Sequence, residues 1–357
     1  MLFSSRLEKY LGIHVILASS ITVFVIVGIM SLSLFLQEIE SVNKFYSKSD
    51  AFWVVLLNIP SSIYQILPIA LLIGVLLGIG SLSEKSEITA IRSAGINKIW
   101  FVKQSLKLSI FISIIFVIIS QIGIPEAKQV VSQIKDQPGV KKQTFQTNQI
   151  GWYRDGESFV NVGSIDSSGN IKNIKMYEFS DSKFEKRIYA SNAQFDSKNE
   201  FWILQNIEVL TLEKNKMIYK NLDSLNWHTN ITPVFLKLTL TPPADLSLSD
   251  LKKYIDFQVS QGVQVAAQKL VFWQKLLLPF SVSSLVLIGL SFVLQNQRNV
   301  SMGSRVVTGV LIGFVFKYVQ ELLGPISQLF GINPLIAALI PIVISFAIAF
   351  WLLSRVR

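Results

Sequence analysis

The clearest structural signal in this sequence is residues 58–96, which read NIPSSIYQILPIALLIGVLLGIGSLSEKSEITAIRSAGI. From Asn58 to Ser83 no side chain carries a charge, and Leu, Ile, Gly and Ser predominate. A helix that spans a membrane needs about 20 consecutive, mostly apolar residues, because the hydrocarbon layer is about 30 Å thick. The run therefore predicts a membrane-spanning helix, and the charges that begin at Glu84 predict a return to water.

Other parts of the chain meet the same requirement. Counting this one, six apolar stretches are long enough, at about 13–36, 54–80, 99–124, 270–295, 303–323 and 332–353. The composition agrees, because 16% of the 357 residues are charged whereas soluble proteins carry about 25%. The first stretch is too long for a signal-peptide core and no small-residue cleavage site follows it, so we expect it to be retained. The sequence thus predicts a multi-pass membrane protein.

Residues 126–265 differ from both flanks, because Asn, Ser, Lys and Asp replace Leu and Ile there. Alternating segments such as EFWILQNIEVLTL (200–212) are separated by polar turns such as DSKNE (196–200). This pattern predicts antiparallel strands in a β sandwich or open barrel. The predicted fold class is an α-helical membrane protein with six transmembrane helices, three on each side of an inserted all-β domain. The predicted domains are residues 1–125, 126–265 and 266–357.

The net charge of +10 is distributed unevenly along the chain. Residues 126–265 hold 17 Lys and Arg against 16 Asp and Glu, so they are nearly neutral. The excess lies at both termini and in the loops after the second and fourth apolar stretches. Because cytoplasmic loops collect Lys and Arg, both termini are predicted to be cytoplasmic and the β domain to face outward. A nucleic-acid-binding protein would carry a basic soluble surface, which excludes that class.

The sequence lacks the residue types and motifs on which most catalytic chemistry depends. The chain has no cysteine and two histidines, His14 and His228, neither of which lies in a metal-ligand cluster. A GxxxxGKS or GxxxxGKT phosphate loop, a GxSxG motif and a Rossmann fingerprint are absent as well. Without these motifs no catalytic constellation is assembled. The chain is therefore expected not to be an enzyme on its own and to hold no metal or cofactor.

Residues 82–99, LSEKSEITAIRSAGINKI, predict a short surface helix between the second and third spans, at about 86–95. Ser86 is expected to cap the helix. Glu87 suits its positive amino end, and Gly95 suits a left-handed stop.

Two interpretations of this helix are open from spacing alone. Ile88 and Ile91 fall on one face and Arg92 on another, so the helix could rest on lipid headgroups. Alternatively, it could be a coupling helix that docks in a groove of a partner ATPase, with Glu87 as an anionic contact.

A charged pair lies inside the fifth apolar stretch. Lys317 and Glu321 are four residues apart and face the same side of a helix. Lys317 is 14 residues beyond Gly303, or about 21 Å deep at about 1.5 Å per residue. Charged residues at such depth indicate a functional site. The alternative is a mutually neutralised pair whose side chains extend toward the membrane interface.

A second pair of basic residues follows the third stretch. Lys128 and Lys135 are seven residues apart, on one face if the helix continues beyond Pro125. They could bind phosphate groups of an anionic lipid, and a solvated basic face is the alternative. The motifs GVLLG (74–78) and GVLIG (309–313) additionally predict close helix contacts, because small residues four apart let helix backbones approach.

Four stretches together resemble one known family, the LptF/LptG permease subunits of the lipopolysaccharide exporter. Its most specific signatures here are residues 58–96, NWHTNITP (226–233), NVSMGSRVVTGVLIGFVF (299–316) and LGPISQLFGINPLIAALIP (323–341). The resemblance covers essentially the whole chain. The second and third signatures are more similar to LptG members than to LptF members.

This resemblance implies a half-transporter in the bacterial inner membrane with a periplasmic β-jellyroll. Its implied partners are an LptF-like permease, an LptB-like ATPase dimer that binds ATP and Mg, an LptC-like single-span protein and an LptA-like bridge. The implied substrate is lipopolysaccharide, taken from the inner membrane and passed toward the outer membrane. Residues 86–95 match the family's coupling helix, and Ser86 and Glu87 match its acidic position.

One position departs from the family pattern. LptG members often carry a basic residue near the outer end of the first helix, where this chain has Leu34. Lys317 and Lys135 are candidates to replace it, with Phe314 beside Lys317 on the same helix, and Glu321 matches an acidic position. Three alternatives stay open: an LptF-like sister subunit, a membrane-anchored structural or sensor protein, and, less favoured, a secondary transporter.

Overall fold

A computed structural model describes residues 6–135, 151–155, 157–165, 169–180, 183–213, 216–295 and 301–356. It divides into two compact units. The first, the helical unit, comprises Met1–Glu40, Lys48–Val130 and Ala266–Arg357. The second, the β unit, comprises Ser41–Ser47 and Val131–Val265. The chain therefore leaves the helical unit twice, for Ser41–Ser47 and for Val131–Val265, and returns each time.

The described residues form ten helices and six strands. The helices are α1 (Arg6–Ile39), α2 (Lys48–Glu84), α3 (Glu87–Ser93), α4 (Lys98–Lys135), α5 (Pro233–Leu240), α6 (Leu248–Ser260), α7 (Ala266–Leu276), α8 (Leu278–Leu294), α9 (Met302–Phe330) and α10 (Pro334–Ser354). The strands are β1 (Gly151–Asp155), β2 (Ser158–Ile165), β3 (Ile171–Ser180), β4 (Lys183–Asp196), β5 (Phe201–Glu213) and β6 (Lys216–Trp227).

Five of the described helices, α1, α2, α4, α9 and α10, are long and apolar enough to cross a membrane. A sixth span is formed if α7 and α8 are taken together, although the two meet at an angle of 60°. The sequence predicted one membrane-spanning helix over about 270–295. The break has a physical cause, because Pro279, in the first turn of α8, has no N–H to continue the hydrogen bonds of α7. Six spans flanking a β unit confirm the predicted fold class.

The core of the helical unit lies along α2. Gly78 on α2 touches α1 so closely that a Cβ atom there would lie 2.6 Å from the carbonyl oxygen of His14. On the other side, a Cβ atom at Gly309 of α9 would lie 2.8 Å from Cγ1 of Ile73. The close contacts predicted from the GVLLG and GVLIG motifs are therefore confirmed, and both are made with α2 as the shared helix.

The β unit contains one antiparallel sheet in which each strand pairs with the next, in the order β1-β2-β3-β4-β5-β6. Alternate side chains on one face are buried, among them Val160, Ile174, Ile188 and Ile207. Within the described residues the predicted antiparallel strands are thus confirmed, in a single sheet.

Two helices of the β unit, α5 and α6, were not predicted from the sequence. The Thr232 hydroxyl oxygen caps α5 by accepting from the Phe235 N–H at 3.2 Å, and Ser247 caps α6 by accepting from the Asp250 N–H at 3.1 Å. Near α5, the hydroxyl of buried Tyr153 donates to Thr239 at 3.0 Å. Burial raises the pKa of Tyr153 to about 12.

Candidate functional site

The predicted surface helix exists as α3, Glu87–Ser93. Ser86 was expected to cap it, and this expectation is wrong, because its side chain makes no capping hydrogen bond. The reason is its backbone, which is left-handed with φ 61°, whereas a capping serine needs an extended backbone. The Ser86 N–H instead donates to the Ser83 carbonyl at 3.0 Å. The junction between α2 and α3 is therefore a tight turn.

The end of α3 agrees with the prediction. Gly95 has φ 94°, a conformation that costs glycine little. Its N–H donates to the Arg92 carbonyl at 3.0 Å, and the N–H of Ile96 donates to the Ile91 carbonyl at 3.4 Å. These two bonds are those of a Schellman motif, so both ends of α3 have fixed backbone geometry.

The apolar face of α3 is directed into the protein. Ile88 is buried in the core of the helical unit, and partly buried Ile91 packs against the same core. Arg92 is partly buried as well. Because Ile88 is covered, it anchors the helix and is not available for a surface contact. The helix therefore presents its polar residues to the outside.

Glu87 is tied to a different helix. Its Oε2 atom accepts a hydrogen bond of 2.8 Å from the hydroxyl of Tyr10 on α1. The Tyr10 ring lies beside the His14 ring, with 4.4 Å between the centroids. Sequence reasoning identified Glu87 but missed Tyr10, because 77 residues separate them and no local pattern links the two. The hydrogen bond from Tyr10 of α1 therefore orients the carboxylate of Glu87 on α3.

An ion pair connects α2 to α9 close to α3. Nη1 of Arg305 lies 3.1 Å from Oε1 of Glu84, the last residue of α2. Sequence reasoning counted Arg305 as loop charge and Glu84 not at all. The helix ends around α3 are thus connected by charged side chains as well as by apolar packing.

Two further residues, Glu8 and Lys98, make polar contacts at the end of the helical unit where α3 lies, which we call the α3 end. Glu8 of α1 accepts from the Gln104 amide at 2.7 Å and lies 3.9 Å from the Lys107 ammonium. Lys98 at the start of α4 donates to the carbonyl oxygens of Leu353 and Val356 at 3.2 and 2.7 Å. Helices α1, α2, α4, α9 and α10 are therefore all linked by polar contacts at or near the α3 end.

The intramembrane candidates lie together on α9. Lys317 and Glu321 are paired at 3.8 Å, with side chains 44% and 56% exposed. Phe314, one turn before Lys317, is exposed and packs against the Tyr318 ring with 4.5 Å between centroids. The exposure of all three side chains leaves them accessible to a ligand or to a partner helix.

The other lipid-contact candidates have different surroundings. The helix does continue through Pro125, so Lys128 and Lys135 belong to one helix, α4. The Lys128 ammonium donates to Oδ1 of Asn58 on α2 at 2.9 Å. Leu34 is a partly buried residue of α1. Asn58 was not recognised in the sequence as a partner for a lysine.

These features define a class: a multi-pass membrane protein with an inserted β unit and a short, rigid helix between two spans. Over residues 9–355 the chain matches the family described as "Lipopolysaccharide export system permease LptF/LptG". It is 29% identical over 352 residues to the lipopolysaccharide export system permease protein LptG of Escherichia coli (strain K12), with 98% of each chain covered. It is 31% identical over 355 residues to the LptG protein of Haemophilus influenzae, with 99% of each chain covered.

The chain therefore belongs to the LptF/LptG family of lipopolysaccharide export permeases. It is a transporter subunit rather than an enzyme, and a multi-pass protein of the inner membrane. Both relatives are LptG proteins, in agreement with the signatures at 226–233 and 299–316.

Proposed function

We propose that this chain is the LptG-like half of an ABC transporter that extracts lipopolysaccharide from the inner membrane and passes it to a periplasmic bridge. The observation that carries the proposal is the full-length family match together with a short helix, α3, that presents Glu87 between two spans. An LptF-like permease would complete the membrane cavity. An LptC-like protein and an LptA-like bridge would receive the lipid.

The α3 helix is the proposed docking element for an LptB-like ATPase dimer. Its apolar residues hold it to the helical unit, and Glu87 is partly exposed. A carboxylate accepts several hydrogen bonds at once, so Glu87 can keep the bond from Tyr10 and still accept from a basic partner. ATP and Mg would be bound by the ATPase, and this chain would hold no cofactor.

The proposed orientation follows from the charges. Lys9, Lys85, Lys103 and Arg355 lie near the helix ends that surround α3, and positive residues collect on the cytoplasmic side. Both termini and α3 would then be cytoplasmic and the β unit periplasmic.

The exposed face of α9 is the proposed lipid contact. Lys317 supplies a positive charge for a lipid phosphate, Phe314 supplies an apolar surface for acyl chains, and Glu321 limits the net charge of the face. Lys135 on α4 would be a second basic contact, with Lys128 and Leu34 as weaker candidates.

Site-specific photocrosslinking tests this function. A photoreactive amino acid placed at Phe314 or Lys317 is expected to capture lipopolysaccharide in the assembled transporter, and ATP should reduce the yield as lipid leaves. The same probe at Ile344, an exposed residue of α10, serves as the control. Absence of any adduct at both α9 positions would overturn the lipid assignment. Copurification with a second LptG-like chain would assign this chain to the role of the LptF-like subunit.

A further inference from the structure

Arg305 has a position that the proposed function does not explain. Its side chain is 5% exposed, and its charge is compensated by Glu84 at 3.1 Å. A buried charge is costly unless a partner of opposite sign replaces the lost hydration. The pair therefore holds two helices, α9 and α2, at a fixed separation.

Both charges lie at unfavourable ends of their own helices. Arg305 is in the first turn of α9, where the helix dipole is positive, and Glu84 is in the last turn of α2, where it is negative. Without a partner, each charge would be disfavoured by the dipole of its own helix. The two charges compensate each other at 3.1 Å, which argues for a specific contact between the two helix ends.

The backbone of α2 leaves room for this contact. Gly80 lies one turn before Glu84, and a Cβ atom there would collide with Nη1 of Arg305 and lie 3.0 Å from its Cδ. The guanidinium thus lies directly against the α2 backbone. Farther along, Gly309 and Gly313 of α9 press against Ile73 and Ile69 of α2. The Arg305–Glu84 pair is the end of a continuous contact between α2 and α9.

The same end of α2 leads into the docking helix. Only Lys85 and Ser86 separate Glu84 from α3, and both have backbone hydrogen bonds to the last turn of α2. A connection this short and ordered cannot absorb a displacement of α3. Movement of α3 would therefore reach Glu84 and, through Arg305, the start of α9.

We infer that Arg305 is a positioning residue that transmits movement of α3 to α9, the helix that carries Lys317. This inference rests on the proposed function and extends it by naming the contact through which ATPase closure reaches the lipid-contact face. Arg305 acts through Glu84 and need not touch lipid or the ATPase.

The test uses the complete transporter in nanodiscs, with ATP hydrolysis, ATPase association and lipid released per ATP measured separately. For Arg305→Gln, association and hydrolysis are expected to remain near wild type while lipid released per ATP falls about tenfold. Arg305→Lys should recover part of the release. The charge exchange Glu84→Arg with Arg305→Glu should recover more than either single reversal. Lys103→Gln, which removes an exposed cation of α4, is the matched control and should leave all three quantities unchanged.

Unchanged release per ATP in Arg305→Gln would overturn the inference. So would a parallel loss of association, hydrolysis and release that the charge exchange does not reverse, because that pattern indicates a purely structural role. If the wild-type complex releases no lipid with ATP, the proposed function is wrong and the inference is wrong with it. The wild-type measurement identifies this outcome before any variant is compared.

Discussion

Tyr10 of α1 donates its hydroxyl hydrogen to Oε2 of Glu87 on α3, and the two oxygens are 2.8 Å apart. Arg305 of α9 forms an ion pair at 3.1 Å with Glu84, three residues before Glu87. The helices α1 and α9 expose much of their apolar surface. The region around α3 is thus linked by polar contacts to both helices.

Replacement of Tyr10 by phenylalanine is expected to weaken ATPase association by about two- to tenfold, the effect of one hydrogen bond that orients the acceptor. Glu87→Gln should weaken association more, because it removes the charge itself. Association can be measured by titrating the ATPase onto the permease pair in nanodiscs. Tyr219→Phe on exposed β6 removes the same hydroxyl elsewhere and should have no effect. Tighter association in Tyr10→Phe would show that Tyr10 competes with the ATPase for Glu87.

Gly78→Ala is expected to destabilise the helical unit by about 1–3 kcal/mol, the usual cost of overpacking. The added methyl group would clash with backbone atoms of His14, and these atoms cannot move aside through a change of side-chain rotamer. Thermal unfolding of the detergent-purified chain measures the effect. Gly28→Ala is the control, because nothing lies within 4 Å of a Cβ atom there. Equal melting temperatures for the two variants would contradict the close crossing of α1 and α2.

Trp202→Phe is expected to loosen strands β4 and β5. The buried indole N–H of Trp202 donates to the Ile231 carbonyl at 2.7 Å, and losing a partner for a buried acceptor costs about 1–3 kcal/mol. Hydrogen exchange on the full chain should report faster exchange in both strands. The same change at exposed Trp152 should leave exchange in β4 and β5 unaltered, and similar effects of the two substitutions would refute this assignment.

Lys317→Gln is expected to lower the amount of lipopolysaccharide that copurifies with the transporter by about tenfold, since a charge-assisted contact contributes about 1.5–3 kcal/mol. Lys128→Gln should lower it less, because the Lys128 ammonium already donates to Asn58 at 2.9 Å. Quantifying bound lipid per complex compares the two. The reverse order would move the lipid contact from α9 to α4.

Local patterns predicted the fold class because hydropathy and alternation are properties of neighbouring residues. Six apolar runs predicted the membrane spans, and the alternation of apolar and polar residues in 126–265 predicted the antiparallel strands. The bend at Leu277 was missed because a long apolar run conceals it, although Pro279 was a usable signal. The helices α5 and α6 were missed, although the caps Thr232 and Ser247 preceded them.

The candidate site was predicted only in part. Glu87 and Gly95 were recognised because charge at a helix start and glycine after a helix end are local signals. Ser86 was assigned a capping role that its left-handed backbone does not permit. Tyr10 and the Arg305–Glu84 pair depend on tertiary packing between helices far apart in the sequence. The roles assigned to the coupling and lipid-contact residues remain predictions.

The coupling role of α3 is tested most directly by ATP-dependent release of lipopolysaccharide from nanodiscs that contain the complete transporter with Glu87→Lys. This reversal of charge on α3 is expected to abolish both ATPase association and lipid release, whereas Glu185→Lys at an exposed position of β4 should preserve both. Association and release at wild-type levels in Glu87→Lys would contradict the claim that α3 couples an ATPase to lipid export.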